Sequence, residues 1–222
     1  MLAATGPEAP AALEKLCRIY WKPLFVFARQ LGHNEHDAQD LTQGFFEQFL
    51  EKGYIRAADP HRGRFRTFLL TSFRHFIRSE WVKSRAAKRG GATIFVPWED
   101  LAPSEQLDFE PVEALPAASA FDQQWAFGVF DAALARLRAE FVAAGKVDQF
   151  DQLKPFLSQL GNNADYTRAG EQSGMTAGAM AVAVRRLRVR YGELLRAEIA
   201  DTVADAEDIE DELQVLRKAL TG

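Results

Sequence analysis

Apolar side chains recur at helical spacing through most of the chain. Between residues 11 and 31 the series Leu13, Leu16, Ile19, Tyr20, Leu24, Phe27 and Leu31 forms one helical stripe, with Pro23 as an expected kink and Gly32 as a stop. Asn34, followed three residues later by Asp37, resembles a capping box, and Leu41, Phe45 and Phe49 carry a second helix toward Gly53. After the turn at Asp59-Pro60-His61-Arg62-Gly63, a stretch without proline or glycine predicts a third helix from about Phe65 to about Arg89. The character then changes to glycine, proline and acid up to about Ser119, which predicts an extended linker.

Periodicity resumes near Asp122 with Trp125, Val129, Ala132 and Leu137, and again after Gly145 with Phe150, Leu153, Phe156 and Leu157. Residues Asp165 to Ser173, the turn Gly174-Met175-Thr176, and Ala177 to about Ala200 predict helix, turn and helix, with Thr176 capping the second helix. The tail is acidic, then amphipathic through Ile209, Leu213, Leu216 and Leu220, and is expected to pack on the second domain or on a partner. The pattern contains no convincing strand. It predicts an all-α chain of two small helical domains, 1–90 and 124–200, joined by an acidic linker at 91–123 and followed by an extension at 201–222.

Charge sharpens this division. The net charge of −4 conceals +6 in residues 1–90, −7 in 91–123, +2 in 124–200 and −5 in 201–222. No run approaches the roughly 20 apolar residues of a membrane span, and the first residues lack the pattern of an export signal, so a cytoplasmic location is expected. The one cysteine, Cys17, excludes an internal disulfide framework and reads as a packing thiol.

The densest candidate chemistry lies between Arg62 and Arg89, where nine arginines and lysines face a single acid, Glu80, and alternate with aromatic residues. On a helix, Arg74, Arg78, Trp81, Arg85 and Lys88 share one face, while Leu69, Phe73, Phe76 and Ile77 turn toward a core. Guanidinium groups neutralise phosphates and an indole stacks on an unpaired base, a combination suited to DNA that is being opened. A second basic cluster, Arg185, Arg186, Arg188 and Arg190, falls in the second helix of the helix-turn-helix, which in such motifs enters the major groove.

In order, these parts resemble the extracytoplasmic-function (ECF) group of bacterial sigma factors, over about residues 10 to 200. Asp37-Ala38-Gln39-Asp40-Leu41-Thr42-Gln43-Gly44-Phe45-Phe46 resembles that group's polymerase-binding helix. Arg64 to Leu69, continuing through Arg78, is similar to its promoter-melting helix, and Tyr166 to Arg188 is similar to its −35-reading helix-turn-helix. The resemblance implies core RNA polymerase and promoter DNA as partners, with no enzymatic activity, cofactor, metal, membrane or small-molecule substrate. It implies Asp37, Gln39, Asp40, Gln43 and Gln48 at the polymerase. Arg66, Arg74, Arg78, Trp81, Arg85 and Lys88 would meet the −10 region, and Thr176, Ala177, Ala181, Arg185, Arg186 and Arg188 the −35 region.

Several positions depart from the family pattern. Gln39 and Gly44 replace acids, His75 and Ser79 replace an asparagine and an aspartate, and Ala181 and Ala183 stand where basic residues are common. A phosphate on Thr42 would add about −1.5 to −2 charges beside Asp40, so a Ser/Thr kinase is expected to switch on polymerase binding. With the extension Arg196 to Val203, this looks like an ECF subgroup controlled by such kinases. Two rival readings remain: a helix-turn-helix regulator that never engages polymerase, and an enzyme with a metal at His33, His36 and Asp37. The second has no third convergent ligand, and the sequence holds neither a phosphate loop nor an HExxH helix.

Overall fold

The computed structural model describes the backbone of residues 9–51, 65–88, 116–159, 161–203 and 206–221; the side chains of 9–13, 15, 85–88, 206–207 and 220–221 lie outside that description. The described residues are all-helical. They form α1 (Ala9–Gln30), α2 (Glu35–Glu51), α3 (Phe65–Lys88), α4 (Pro116–Ala143), α5 (Val147–Leu153), a 3-10 turn (Lys154–Leu157), α6 (Asn163–Ser173), α7 (Ala177–Ala200) and α8 (Ala206–Thr221). None is long and apolar enough to cross a membrane.

Helix ends follow the local chemistry of the chain. Gly32 takes φ +95°, and behind it Gly32 N–H donates to Arg29 C=O (3.0 Å) and His33 N–H to Ala28 C=O (3.3 Å), a Schellman closure of α1. Gly145, at φ +66°, closes α4 by the same pair of bonds, to Val142 and Phe141. At the start of α2, Asn34 Oδ1 accepts from Asp37 N–H at 2.9 Å, as the Asn34/Asp37 spacing predicts.

Two prolines mark the layout. Helix α1 runs continuously through Pro23. Pro23 has no N–H to give Ile19 C=O, and the backbone of α4 comes close to that group at Gly128, where an added Cβ would lie 3.4 Å from the Ile19 oxygen. Residues 116–121, expected to be linker, are instead the first turns of α4. Pro116 occupies the first helical position, where its missing N–H costs nothing, and Ala117, Ala118 and Phe121 are buried. The rest of the expected linker lies outside the described residues.

Two compact units result, Met1–Gly128 with Ala200–Gly222, and Val129–Ile199. The first has an aromatic core. Phe45 of α2 meets Phe73 and Phe76 of α3 at ring-centroid distances of 5.1 and 5.8 Å, both edge-on, and Tyr20 of α1 packs on Phe65 (5.6 Å) and Phe121 (6.4 Å). Such pairs contribute about 0.5–1.5 kcal/mol each beyond the area they bury. The second unit closes around Leu137, Phe150, Leu153, Met180, Val184, Leu187 and Leu194.

Of the two placements expected for the tail, packing on the second domain is the one the structure corrects. Helix α8 belongs to the first unit, where Leu213 and Leu216 are buried, and not to the second domain.

Candidate nucleic-acid interface

Helix α3 separates its two faces as its sequence predicts. Leu69, Phe73 and Ile77 are buried in the aromatic core, whereas Trp81 is 54% exposed and Arg78 is exposed beside it, one turn earlier. Arg74 is half-buried on the same side. Glu80, the one acid of the segment, lies 2.7 Å from Lys83 on the same helix. The side chains of Arg85 and Lys88 lie outside the described residues, although the helix extends to Lys88.

His75 sits between two of these cations. Burial first, then the charges of Arg74 and Arg78, lower its imidazole from 6.5 to about 4. The folded chain therefore keeps His75 neutral at pH 5, where the unfolded chain binds a proton. Stability is full above about pH 6.5, is lost as pH falls toward 4, and is flat below that. The loss should be on the order of 1 kcal/mol, because His75 is only partly buried and solvent screens it. We expect His75→Asn to shrink the difference in thermal midpoint between pH 7 and pH 4.5, and an unchanged difference would rule out this origin.

Arg66 requires correction as a DNA contact. It is 7% exposed, its Nε donates to Glu212 Oε2 of α8 at 3.1 Å, its Nη1 is paired with Asp122 of α4, and its guanidinium lies 5.2 Å from the Trp125 ring centroid. A cation enclosed by two carboxylates and an indole is not offered to phosphate; it ties α3, α4 and α8 together.

The polymerase-binding candidates share the outer side of α2. Asp37, Gln39, Asp40 and Gln43 are exposed, and Gln48 is half-buried. Asp40 lies 3.7 Å from His36 Nε2, and Gln43 Nε2 donates to Glu47 Oε1 at 3.0 Å. Glu47 thus adds an acid to the Asp40–Gln43 face, one turn beyond the motif that drew attention to it. An added Cβ at Gly44 would lie 3.4 Å from the ring of Phe76, an ordinary contact distance, so packing does not by itself require glycine here.

Thr42 is a second correction. It is 0% exposed, and its hydroxyl donates to Ala38 C=O at 2.7 Å within the helix. A kinase requires an accessible hydroxyl, and a phosphate dianion here would be buried at a cost of desolvation, so the folded chain does not present Thr42 as a switch. Thr42 is a buried core residue whose hydroxyl is satisfied within the helix.

In the second unit, α6 and α7 meet at the predicted turn. Asn162 caps α6 in a reciprocal box with Asp165, Gly174 takes φ +66°, and Thr176 Oγ1 accepts from Ala179 N–H at 3.2 Å to cap α7. Gly170 holds the corner, and sequence reasoning passed over it. Met175 N–H donates to its carbonyl at 2.8 Å, and a Cβ on Gly170 would lie 2.5 Å from the Met175 carbonyl oxygen. The available signal was a small residue one turn before the αL glycine.

Of the −35 candidates, Arg185 and Arg186 are exposed, while Ala177 and Ala181 are half-buried. Arg188 is corrected. Its Nε and Nη2 donate to Phe156 C=O at 2.9 and 2.7 Å, and Nη2 also reaches Gln159 C=O at 2.7 Å, so it satisfies the end of the 3-10 turn. Arg190 is bound to Glu140 (2.7 Å) and Glu193 (2.6 Å). The basic cluster read from sequence therefore reduces to Arg185 and Arg186 as outward cations. Comparison with known proteins returned no match: no family model, no curated protein and no solved structure matches the chain.

Proposed function

We propose that this chain is a transcription initiation factor of the ECF sigma type, acting in the cytoplasm. In this reading α2 docks on core RNA polymerase through Asp37, Gln39, Asp40, Gln43 and Glu47. Helix α3 captures and opens the −10 region, and α7 seats the complex on upstream duplex.

The observation that carries the reading is the Arg78–Trp81 edge of α3. An indole held more than half exposed beside a guanidinium, on a helix whose opposite side is locked in an aromatic core, suits an unstacked base next to a phosphate. The anchored face gives that edge a rigid backing.

The test is open-complex formation, followed by permanganate reactivity with core polymerase and a promoter library, for Arg78→Ala and Trp81→Ala. Loss of one stacked base, about 1–3 kcal/mol, corresponds to roughly a 5- to 150-fold reduction in opening, with core affinity nearly unchanged. Equal loss of opening and core binding would refute the division of labour. Duplex binding by the protein with no affinity for core polymerase would identify the stand-alone regulator instead.

A further inference from the structure

The outward face of α7 carries an unusual mixture for a helix proposed to read bases. Gly178, Ala179, Val182, Arg185, Arg186 and Val189 are exposed; Val182 is 49% and Val189 57% exposed. Between Ala177 and Val184 no side chain can donate a hydrogen bond, and the one weak acceptor is the Met180 sulfur. Met180 and Val184, the other large side chains of that stretch, are turned into the core at 1% exposure. Thr176, just before it, uses its oxygen to cap the helix. The first polar side chains on this face are Arg185 and Arg186, both cationic.

A major-groove edge is normally distinguished by its donors and acceptors, and Ala177–Val184 has no side-chain group with which to read them. One groove feature remains for an apolar side chain, the C5-methyl group of thymine. The adjacent cations match the flanking phosphates, which supplies the charge complementarity that commits this face to DNA over another apolar surface. An added Cβ on Gly178 would meet nothing within 4 Å, so the base edges can approach the backbone there.

Resting on the assignment of α7 to duplex DNA, we infer that α7 recognises thymine methyl groups through Val182, with Arg185 and Arg186 as its phosphate anchors. Specificity on this half of the site is by methyl contact, not by hydrogen bonding to base edges. The ligand class is T-containing B-form duplex, and a 5-methylcytosine presents the same group.

The experiment compares binding of the full chain to poly(dA-dT) and poly(dA-dU) duplexes at one salt concentration, for wild type, Val182→Ala and Arg185→Ala/Arg186→Ala. Burying methyl groups should make the thymine duplex about three- to fivefold tighter for wild type. Val182→Ala should bring the two affinities together. The double arginine variant should weaken both duplexes equally, and a repeat of its titration across several salt concentrations should give a shallower salt dependence than wild type. Methylating the cytosines of poly(dG-dC) should raise wild-type affinity in the same proportion. Because Val182, Arg185 and Arg186 are exposed, these variants should keep the helical circular dichroism of the wild type. Equal wild-type affinity for the thymine and uracil duplexes overturns methyl recognition while leaving DNA binding in place. A thymine preference that survives Val182→Ala overturns the role of Val182. Failure to bind any duplex overturns both the inference and the assignment of α7.

Discussion

Glu212→Ala is expected to lower the thermal midpoint of the unit formed by residues 1–128 and 200–222 by roughly 10 °C. Glu212 is 2% exposed and accepts from Arg66, itself 7% exposed, at 3.1 Å. Removing one partner of a buried ion pair leaves the other charge desolvated and incompletely compensated, which costs about 3–5 kcal/mol. For a unit of this size each kcal/mol moves the midpoint by about 2–4 °C. Asp122 remains on the guanidinium, but it is 28% exposed and reaches only one of the two sides Arg66 now uses. The double replacement Arg66→Met/Glu212→Leu removes both charges and should restore most of the lost stability. A Glu212→Ala midpoint within about 2 °C of wild type would show that the pair contributes little net stability and that other contacts, the buried Leu213 and Leu216 among them, hold α8. The same measurement bears on function, because Arg66 lies in the first turn of α3: whatever loosens α8 also loosens the base of the helix proposed to open DNA.

Gly170→Ala is expected to destabilise the second unit by roughly 1–3 kcal/mol and to abolish duplex binding through α7. In an ordinary helix position this substitution gains about 1 kcal/mol. Here the new methyl would stand 2.5 Å from the Met175 carbonyl oxygen; that oxygen is backbone and a Cβ has no rotamer by which to move away, so the turn itself must open. Opening it displaces Thr176, whose hydroxyl caps α7, and changes the direction in which Val182, Arg185 and Arg186 are presented. Gly178→Ala provides the contrast. Its Cβ enters open space, so stability should rise by up to about 1 kcal/mol. Chemical denaturation of both variants distinguishes the cases; a Gly170→Ala protein as stable as Gly178→Ala, with duplex binding intact, would refute this account of the turn.

What the sequence determined by itself was set by neighbours a few residues apart. Helical periodicity, the Asn34–Asp37 cap, Gly32 and Gly145 as helix ends, and the Gly174-Met175-Thr176 corner all depend on contacts between residues about three to five positions apart, so their signals lie within one or two turns of chain. The two faces of α3 were legible for the same reason. Tertiary structure decided which polar residues on those helices face outward and which are used internally. Arg66 looked like a phosphate ligand until Glu212, 146 residues away, and Asp122, 56 residues away, enclosed it. Arg188 was taken up by carbonyls about 30 residues upstream, and Arg190 by Glu140. Thr42 turned inward because α2 packs on that side. A side chain's charge is written in the sequence, but its availability depends on long-range partners that compete with solvent and with ligand for the same hydrogen bonds, and only the packed chain brings those partners within reach.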